Sequence, residues 1–356
     1  MTKCLLVEPD YKIKYPNIAL CKLSTKLKGE NKEVEYFKGK KPLNLINLNE
    51  SYDEIYITTL FTYYSEVTID TINYYKKRFP NAKISVGGIL ASLMPDLIKE
   101  KTGIKPFVGY SKELDKLKPD YDLIKTGDKW DDFSFVFTSR GCANKCPFCA
   151  VPRIEPEKWI NKNWKNAIDL KRKNVMISDN NLTSMPIKHF IDVCNFLKKH
   201  KLGVIFDNGF DCRLFTKEHL EAVKDVRILP SGLRFAFDGM QSDGHIQKTL
   251  KMCLDNGISK NKLMVYVLFN FSDTPKEAEY RMREVVKFGA RPYPQMYTPL
   301  NTLNRDNPFI GKHWTKELAR TFRYFYLMAG YFTKSTFTEW LEKEDKKHLL
   351  SDFHGK

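Results

Sequence analysis

The chain has no stretch approaching the roughly 18 uninterrupted apolar residues that a membrane-spanning helix requires. Its opening, MTKCLLVEPDYK, turns charged after a few apolar residues and offers no signal-peptide hydrophobic region. The expected compartment is therefore the cytoplasm, with no membrane partner. Internal repeats and low-complexity tracts are lacking, and Pro and Gly stay near ordinary levels, which argues against fibrous and disordered classes. A disulfide framework is a poor match as well: eight cysteines in a reducing compartment, three of them tightly grouped, point to a metal or redox site.

What is present is a 356-residue chain, 42% hydrophobic and 13% aromatic, long enough for two domains and a tail when one domain takes roughly 100–200 residues. The formal charge of +16 raises the question of nucleic acid, because lysine and arginine clusters neutralise phosphates. The excess is spread along the chain, however, and reads as a solvated, lysine-rich surface. Its densest run, Lys171, Arg172 and Lys173, is expected at a helix end, where the dipole favours cations.

Residues 4–8, 53–60 and 83–88 read as short buried strands, with helical patterns over 17–28 and 65–79, the latter stopped by Pro80. Residues 111–134, rich in Lys, Asp and Pro, read as a linker. The alternation then restarts. Strands are expected at 134–138, 174–178, 203–207, 233–237, 263–270 and 292–297, and helices near 157–172, 186–200, 216–224, 243–256 and 275–288. A helical pattern over 315–346 closes the chain. Strands alternating with helices imply βαβ units and an α/β fold built on parallel sheets. Six such units suggest an open, partial barrel.

The sharpest local feature is TSRGCANKCPFCA, residues 138–150, which carries Cys142, Cys146 and Cys149 as C-x3-C-x2-C directly after an expected strand. A [4Fe-4S] cluster ordinarily takes four cysteines; three leave one iron with open coordination positions. Gly141 permits a sharp turn out of the strand, and Pro147 with Phe148 would shape and dry the loop wall. A structural zinc site is the alternative, but it needs a fourth Cys or His, and Cys4, Cys21, Cys194, Cys212 and Cys253 are isolated in apolar surroundings, as buried small hydrophobes are.

This loop, with an aromatic residue just before its last cysteine, resembles the signature of the radical S-adenosylmethionine (radical SAM) superfamily. The resemblance implies an N-terminal Rossmann-like domain of cobalamin-binding (B12-binding-like) type over 1–125, a partial (β/α)6 barrel over 126–300 and a helical extension over 301–356. It also implies that the three cysteines bind a [4Fe-4S] cluster and that S-adenosyl-L-methionine chelates the fourth iron. Reductive cleavage would then yield a 5'-deoxyadenosyl radical that abstracts hydrogen from a substrate, with flavodoxin or ferredoxin as electron donor. The substrate, whether small molecule, peptide or nucleic acid, is left open.

By the same resemblance Phe148, Asp179, Arg213, Asp238 and Met296 are candidate contacts to the cofactor. Asp179 would meet the methionine amino group, although Asp and Asn also suit turns. Arg213 could fork onto the methionine carboxylate or pair with a neighbouring Asp. Asp238, after Arg234 in LRFAFDG, could accept from ribose hydroxyls, and Met296 with Tyr297 could wall the adenine or belong to the core. The motif D-x-H-x-x-G is lacking, which does not settle the matter, but the first domain is short and compressed between Gly88 and Asp120, so cobalamin is possible but not favoured. No second cysteine cluster is present, which argues against sulfur-donating branches. A cobalamin-dependent methyltransferase and a non-catalytic zinc or nucleic-acid-binding module are the alternative readings.

Overall fold

Short apolar runs that alternate with amphipathic stretches fold here into parallel sheets crossed by helices. The computed structural model describes residues 1–42, 50–304, 306, 309–328 and 335–355. The chain divides into two compact units, Met1–Asn174 with Leu300–Asn307, and Val175–Pro299 with Pro308–Lys356.

The first unit opens with β1 (Lys3–Glu8), α1 (Ile18–Gly29), β2 (Glu33–Lys38), β3 (Glu54–Thr59), α2 (Ser65–Arg78) and β4 (Lys83–Gly88). The four strands form one sheet in the order β2-β1-β3-β4, all parallel. Parallel neighbours need crossovers, which α1 and α2 supply. Alternate residues of the central strands serve opposite faces: Leu5, Val7, Ile55 and Ile57 pack with Ile72 and Tyr75, while Cys4 and Leu6 pack with Leu20 and Leu27. Each such apolar side chain taken out of water contributes roughly 1.5–3 kcal/mol. Asn17 starts α1 by accepting the Leu20 N–H at its Oδ1, 3.2 Å away.

Two short helices, α3 (Ile89–Leu93) and α4 (Pro95–Thr102), follow β4, then α5 (Lys112–Asp115). Residues 111–134, expected as a linker, are instead packed. Tyr121 is buried, its hydroxyl accepting from Phe135 N at 2.9 Å and donating to Ala167 O at 2.8 Å, and Asp115 is buried too. Next come β5 (Phe133–Val136), β6 (Ser139–Arg140), α6 (Val151–Ile154) and β7 (Trp159–Ile160), with β6 and β7 antiparallel. The helix expected over 157–172 does not form. Its place is taken by β7, a 3-10 turn at Trp164–Ala167 and further turns, so the run Lys171–Lys173 lies in a turn and not at a helix end.

The second unit contains β8 (Asn174–Ile177), α7 (Ile187–Lys199), β9 (Gly203–Phe206), β10 (Phe210–Asp211), α8 (Lys217–Val223), β11 (Leu233–Ala236), α9 (His245–Asp255), β12 (Leu263–Phe269), α10 (Pro275–Lys287) and β13 (Arg291–Met296). Strands β10 to β13 form a parallel sheet in chain order. β8 neighbours β9, and Phe206 N at the end of β9 reaches Gly232 O just before β11, 2.8 Å away. A ring cluster of Phe190, Phe206, Phe210, Phe215 and Phe235 fills the space beneath α7 and α8.

The single helical stretch expected over 315–346 is divided into α11 (Lys316–Met328) and α12 (Phe337–Lys343), followed by α13 (Leu349–His354); residues 329–334 of that expectation lie outside the described residues. Thr336 begins α12 with a reciprocal bond to Glu339, a start signal that a continuous helix would not carry. Phe322 and Trp314 pack on Phe269 at the end of β12.

Gly88 ends β4 at φ +118°, and a Cβ there would meet Thr59 O at 2.1 Å. Gly88→Ala is therefore expected to lower the urea midpoint of the full chain, with backbone strain alone costing about 1–3 kcal/mol; an unchanged midpoint would overturn this reading.

Candidate functional site

The cysteine loop leaves β6 and returns through α6 to β7, so its base is closed by the pairs Ser139↔Ile160 and Arg140↔Trp159. Asn161 extends the closure: its N–H reaches Thr138 O at 2.9 Å and its side-chain amide donates to Asp115 O at 2.8 Å. Gly141 sits at φ +79°, where a Cβ would lie 2.4 Å from Glu157 O, so the turn into Cys142 admits no larger residue without backbone movement.

A buried charge cluster clamps the base. Arg140 forks onto Asp115, with Nε to Oδ2 at 2.7 Å and Nη2 to Oδ1 at 3.0 Å, and reaches Glu155 Oε1 at 2.7 Å. Lys22 of α1 adds a bond to Asp115 Oδ1 at 3.0 Å, and the other oxygen of Glu155 accepts the Gly141 N–H at 2.7 Å. The guanidinium also lies over the Phe137 ring, 3.4 Å from its centroid. Burial pushes the Asp115 carboxyl up, but the hydrogen bonds and charge of Arg140, joined by Lys22, outweigh it and hold the group below the usual aspartate range. Sequence reasoning missed this clamp. Its one available signal was Arg140 inside TSRGC, since Asp115 lay in the supposed linker and Glu155 in an uninterpreted segment.

Cys142, Cys146 and Cys149 are half-buried thiols outside any disulfide, and Phe148 between the last two is half-buried as well. The Asn144 N–H points at Cys142 Sγ (3.3 Å) and the Val151 N–H at Cys149 Sγ (3.5 Å), while Cys149 N bonds Cys146 O at 3.1 Å. The other five cysteines are buried, and burial pushes the thiols of Cys21, Cys194, Cys212 and Cys253 up to about 12, as inert core groups. Among the described residues, no group of three or more His, Cys, Asp or Glu is gathered closely enough to hold a metal ion. By residue type and spacing alone, three thiols within eight residues suit a cluster that takes three protein ligands, although the structure does not bring them together around one point.

The remaining candidates belong to the second unit, and all lie at the carboxyl ends of its strands. Asp179 follows β8 and is buried; Met296 is the last residue of β13 and half-buried. Arg213 is forked onto Asp211 at the end of β10, with Nε to Oδ1 at 2.8 Å and Nη2 to Oδ2 at 2.6 Å. The ion pair that competed with a cofactor role is thus formed. Asp238 follows β11 within the field of Asp211, Arg213 and Arg281, and burial pushes its carboxyl up to about 6 against the pull of Arg281. Tyr297 packs its ring against Phe271 and Phe309.

Two arginines that the sequence reading left without a role brace the strands of this unit, Arg234 near the amino end of β11 and Arg281 from α10. Arg234 bonds Asp207 Oδ1 at 2.6 Å and the Tyr266 hydroxyl at 2.7 Å, tying β9 to β11 and β12. Arg281 of α10, fully buried, donates to Phe237 O (2.9 Å) and Leu268 O (2.7 Å) and pairs with Asp273.

Removing Arg140 deprives two buried carboxylates of their shared guanidinium and leaves the cluster short of positive charge. Arg140→Ala is expected to cost about 3–5 kcal/mol in urea unfolding, and a cost below 1 kcal/mol would show that the clamp is not a stabilising element. Asp238 has the opposite sign. A carboxyl raised in the fold contributes stability below the unfolded range near 4 that is lost as pH rises through about 6. Asp238→Asn should therefore stabilise the chain by roughly 1–3 kcal/mol at pH 8 and by less at pH 5; equal effects at both pH values would refute the shift.

No protein-family model and no curated protein matches the chain. Among solved structures, a D-isomer specific 2-hydroxyacid dehydrogenase from Lactobacillus delbrueckii ssp. bulgaricus, in NAD-complexed form, aligns over 83% of this chain and 79% of its own at 11% identity, with a TM-score of 0.24. That score is too low to carry an argument. Among the described residues no helix is long and apolar enough to cross a membrane.

Proposed function

We propose that the chain is a radical S-adenosylmethionine enzyme in which Cys142, Cys146 and Cys149 hold a [4Fe-4S] cluster. The observation that carries this reading is the triplet itself, three cysteines spaced C-x3-C-x2-C on one loop whose base is closed by β6, β7 and the Arg140 clamp. When bound, the cluster with S-adenosylmethionine supplies one-electron reductive cleavage of the sulfonium, giving a 5'-deoxyadenosyl radical that takes hydrogen from a substrate.

The chain's own residues bind, orient and exclude. Main-chain N–H groups of Asn144 and Val151 point at two of the sulfurs and orient them. Phe148 limits solvent at the loop. In the second unit, the chain-order run of parallel strands supports the partial barrel, because each added βα unit advances in the same direction. Its carboxyl ends carry the proposed cofactor contacts: Asp179 for the methionine amino group, Arg213 for the carboxylate, Asp238 for the ribose hydroxyls and Met296 for the adenine wall. Arg213 is already oriented by Asp211, and Asp238, with its carboxyl near 6, can accept or share a hydrogen-bonded proton at neutral pH.

Anaerobic reconstitution with iron and sulfide should give a brown, oxygen-sensitive protein that releases 5'-deoxyadenosine from S-adenosylmethionine after dithionite reduction. Cys146→Ala should lose both the cluster absorbance and the product while keeping its far-ultraviolet circular dichroism. A colourless, air-stable protein carrying stoichiometric zinc would sink the proposal.

A further inference from the structure

The first sheet carries a second candidate site that the cysteine chemistry does not use. Its strand order, β2-β1-β3-β4, means that the chain moves outward from β1 in one direction to reach β2 and in the other to reach β3 and β4. In open parallel sheets the loops diverge at such a reversal and leave a crevice beyond the carboxyl ends of the two inner strands. A cavity of about 600 Å³ lies there, and its wall comes from both loops, residues 8–18 after β1 and 60–61 after β3, with Trp130 added from the segment before β5. That volume falls within the range of small-molecule sites, roughly 300–1,000 Å³.

Its lining combines three chemistries. Lys12 and Lys14 are exposed, and neither makes an ion pair among the described residues. In the same unit Lys22, Lys28, Lys32, Lys38, Lys40 and Lys41 all have carboxylate partners. Aromatic surface lies beside them: Tyr15 and Phe61 are each 43% exposed, and Tyr15 packs against Trp130 with ring centroids 4.5 Å apart. On the floor Glu8 is buried and already bonded to Lys38 at 3.3 Å, so it can accept from a hydroxyl without presenting a full uncompensated charge. The amino end of the 12-residue α1 opens at the same cavity and adds positive potential.

Two unpaired cations, exposed flat rings and one buried acceptor match a ligand with an anionic end, a planar ring and hydroxyl groups between them. We propose that this crevice binds a nucleoside phosphate. The phosphate lies at Lys12 and Lys14, the base against Tyr15 and Phe61, and the sugar toward Glu8. The assignment is independent of the cysteine loop, and nothing in it requires iron.

Isothermal titration of the full chain with each of the four ribonucleoside 5'-monophosphates, with inorganic phosphate, with a single-stranded RNA 10-mer and with hydroxocobalamin tests it. At least one monophosphate should bind saturably with unit stoichiometry and more tightly than inorganic phosphate. Lys12→Ala combined with Lys14→Ala, both exposed and remote from the core, should weaken that binding about tenfold or more. Tyr15→Ala should weaken the nucleotide and leave phosphate unchanged, and Cys146→Ala should leave both unchanged. Failure of all four monophosphates, insensitivity to the double lysine change, or loss of nucleotide binding in Cys146→Ala would each overturn the proposal. So would markedly tighter binding of the RNA, or stoichiometric cobalamin that displaces the nucleotide.

Discussion

A guanidinium buried between two carboxylates is tolerable only if every charge is matched, and that condition organises the first unit around Arg140. Taking ions out of water costs several kcal/mol each, which a single pair seldom recovers. Here the cost is shared across Lys22, Asp115, Arg140 and Glu155, with the Gly141 N–H using the remaining carboxylate oxygen. The members come from α1, α5, β6 and the end of α6, so satisfying the charges also fixes where those elements meet. The cysteine loop begins one residue after Arg140. Electrostatics at its base therefore fixes where the loop starts.

The same logic of placement holds for both sheets. Parallel strands bring every loop that follows a strand to one edge, and helix amino ends to the same edge. In the first sheet this assembles residues after β1 and β3; in the second it assembles Asp207, Asp211, Arg213, Asp238 and Asn270. Buried arginines knit the second edge. Arg281 spends its donors on the terminal carbonyls of β11 and β12, positions where the ladder has ended and the carbonyl oxygens would otherwise lack partners.

Much of this was legible in the sequence because buried parallel strands are unbroken apolar runs: Leu5 to Val7, Val175 to Ile177 and Leu263 to Phe269 announce themselves. Asp179 follows the second of these runs, whereas Arg213, expected after the strand at 203–207, stands after β10, a two-residue strand that the sequence did not announce. What failed has physical reasons. The edge strand β2, EVEYFK, mixes charge with apolar residues because one side of it is solvated, and it was not recognised. In 157–172, Ile160, Trp164, Ala167 and Ile168 mimic a helical period, but Asn161 turns the chain by accepting the Asn163 N–H at its own side chain. The segment 111–134 looked like a linker because its charges are numerous, yet Asp115 and Asp120 are matched by Lys22, Arg140 and Lys28 and so can be buried or half-buried.

Two aspartates show how the units differ in what their buried charge is for. Asp115 is held below its ordinary range by two cations in direct contact, whereas burial drives the half-buried Asp238 up to about 6 against the pull of Arg281, whose direct bonds go to carbonyls and to Asp273. A fully matched charge locks geometry and responds little to pH. One left undermatched at a strand end makes the fold less stable as pH rises through its titration range. By that criterion the Arg140 clamp is scaffold.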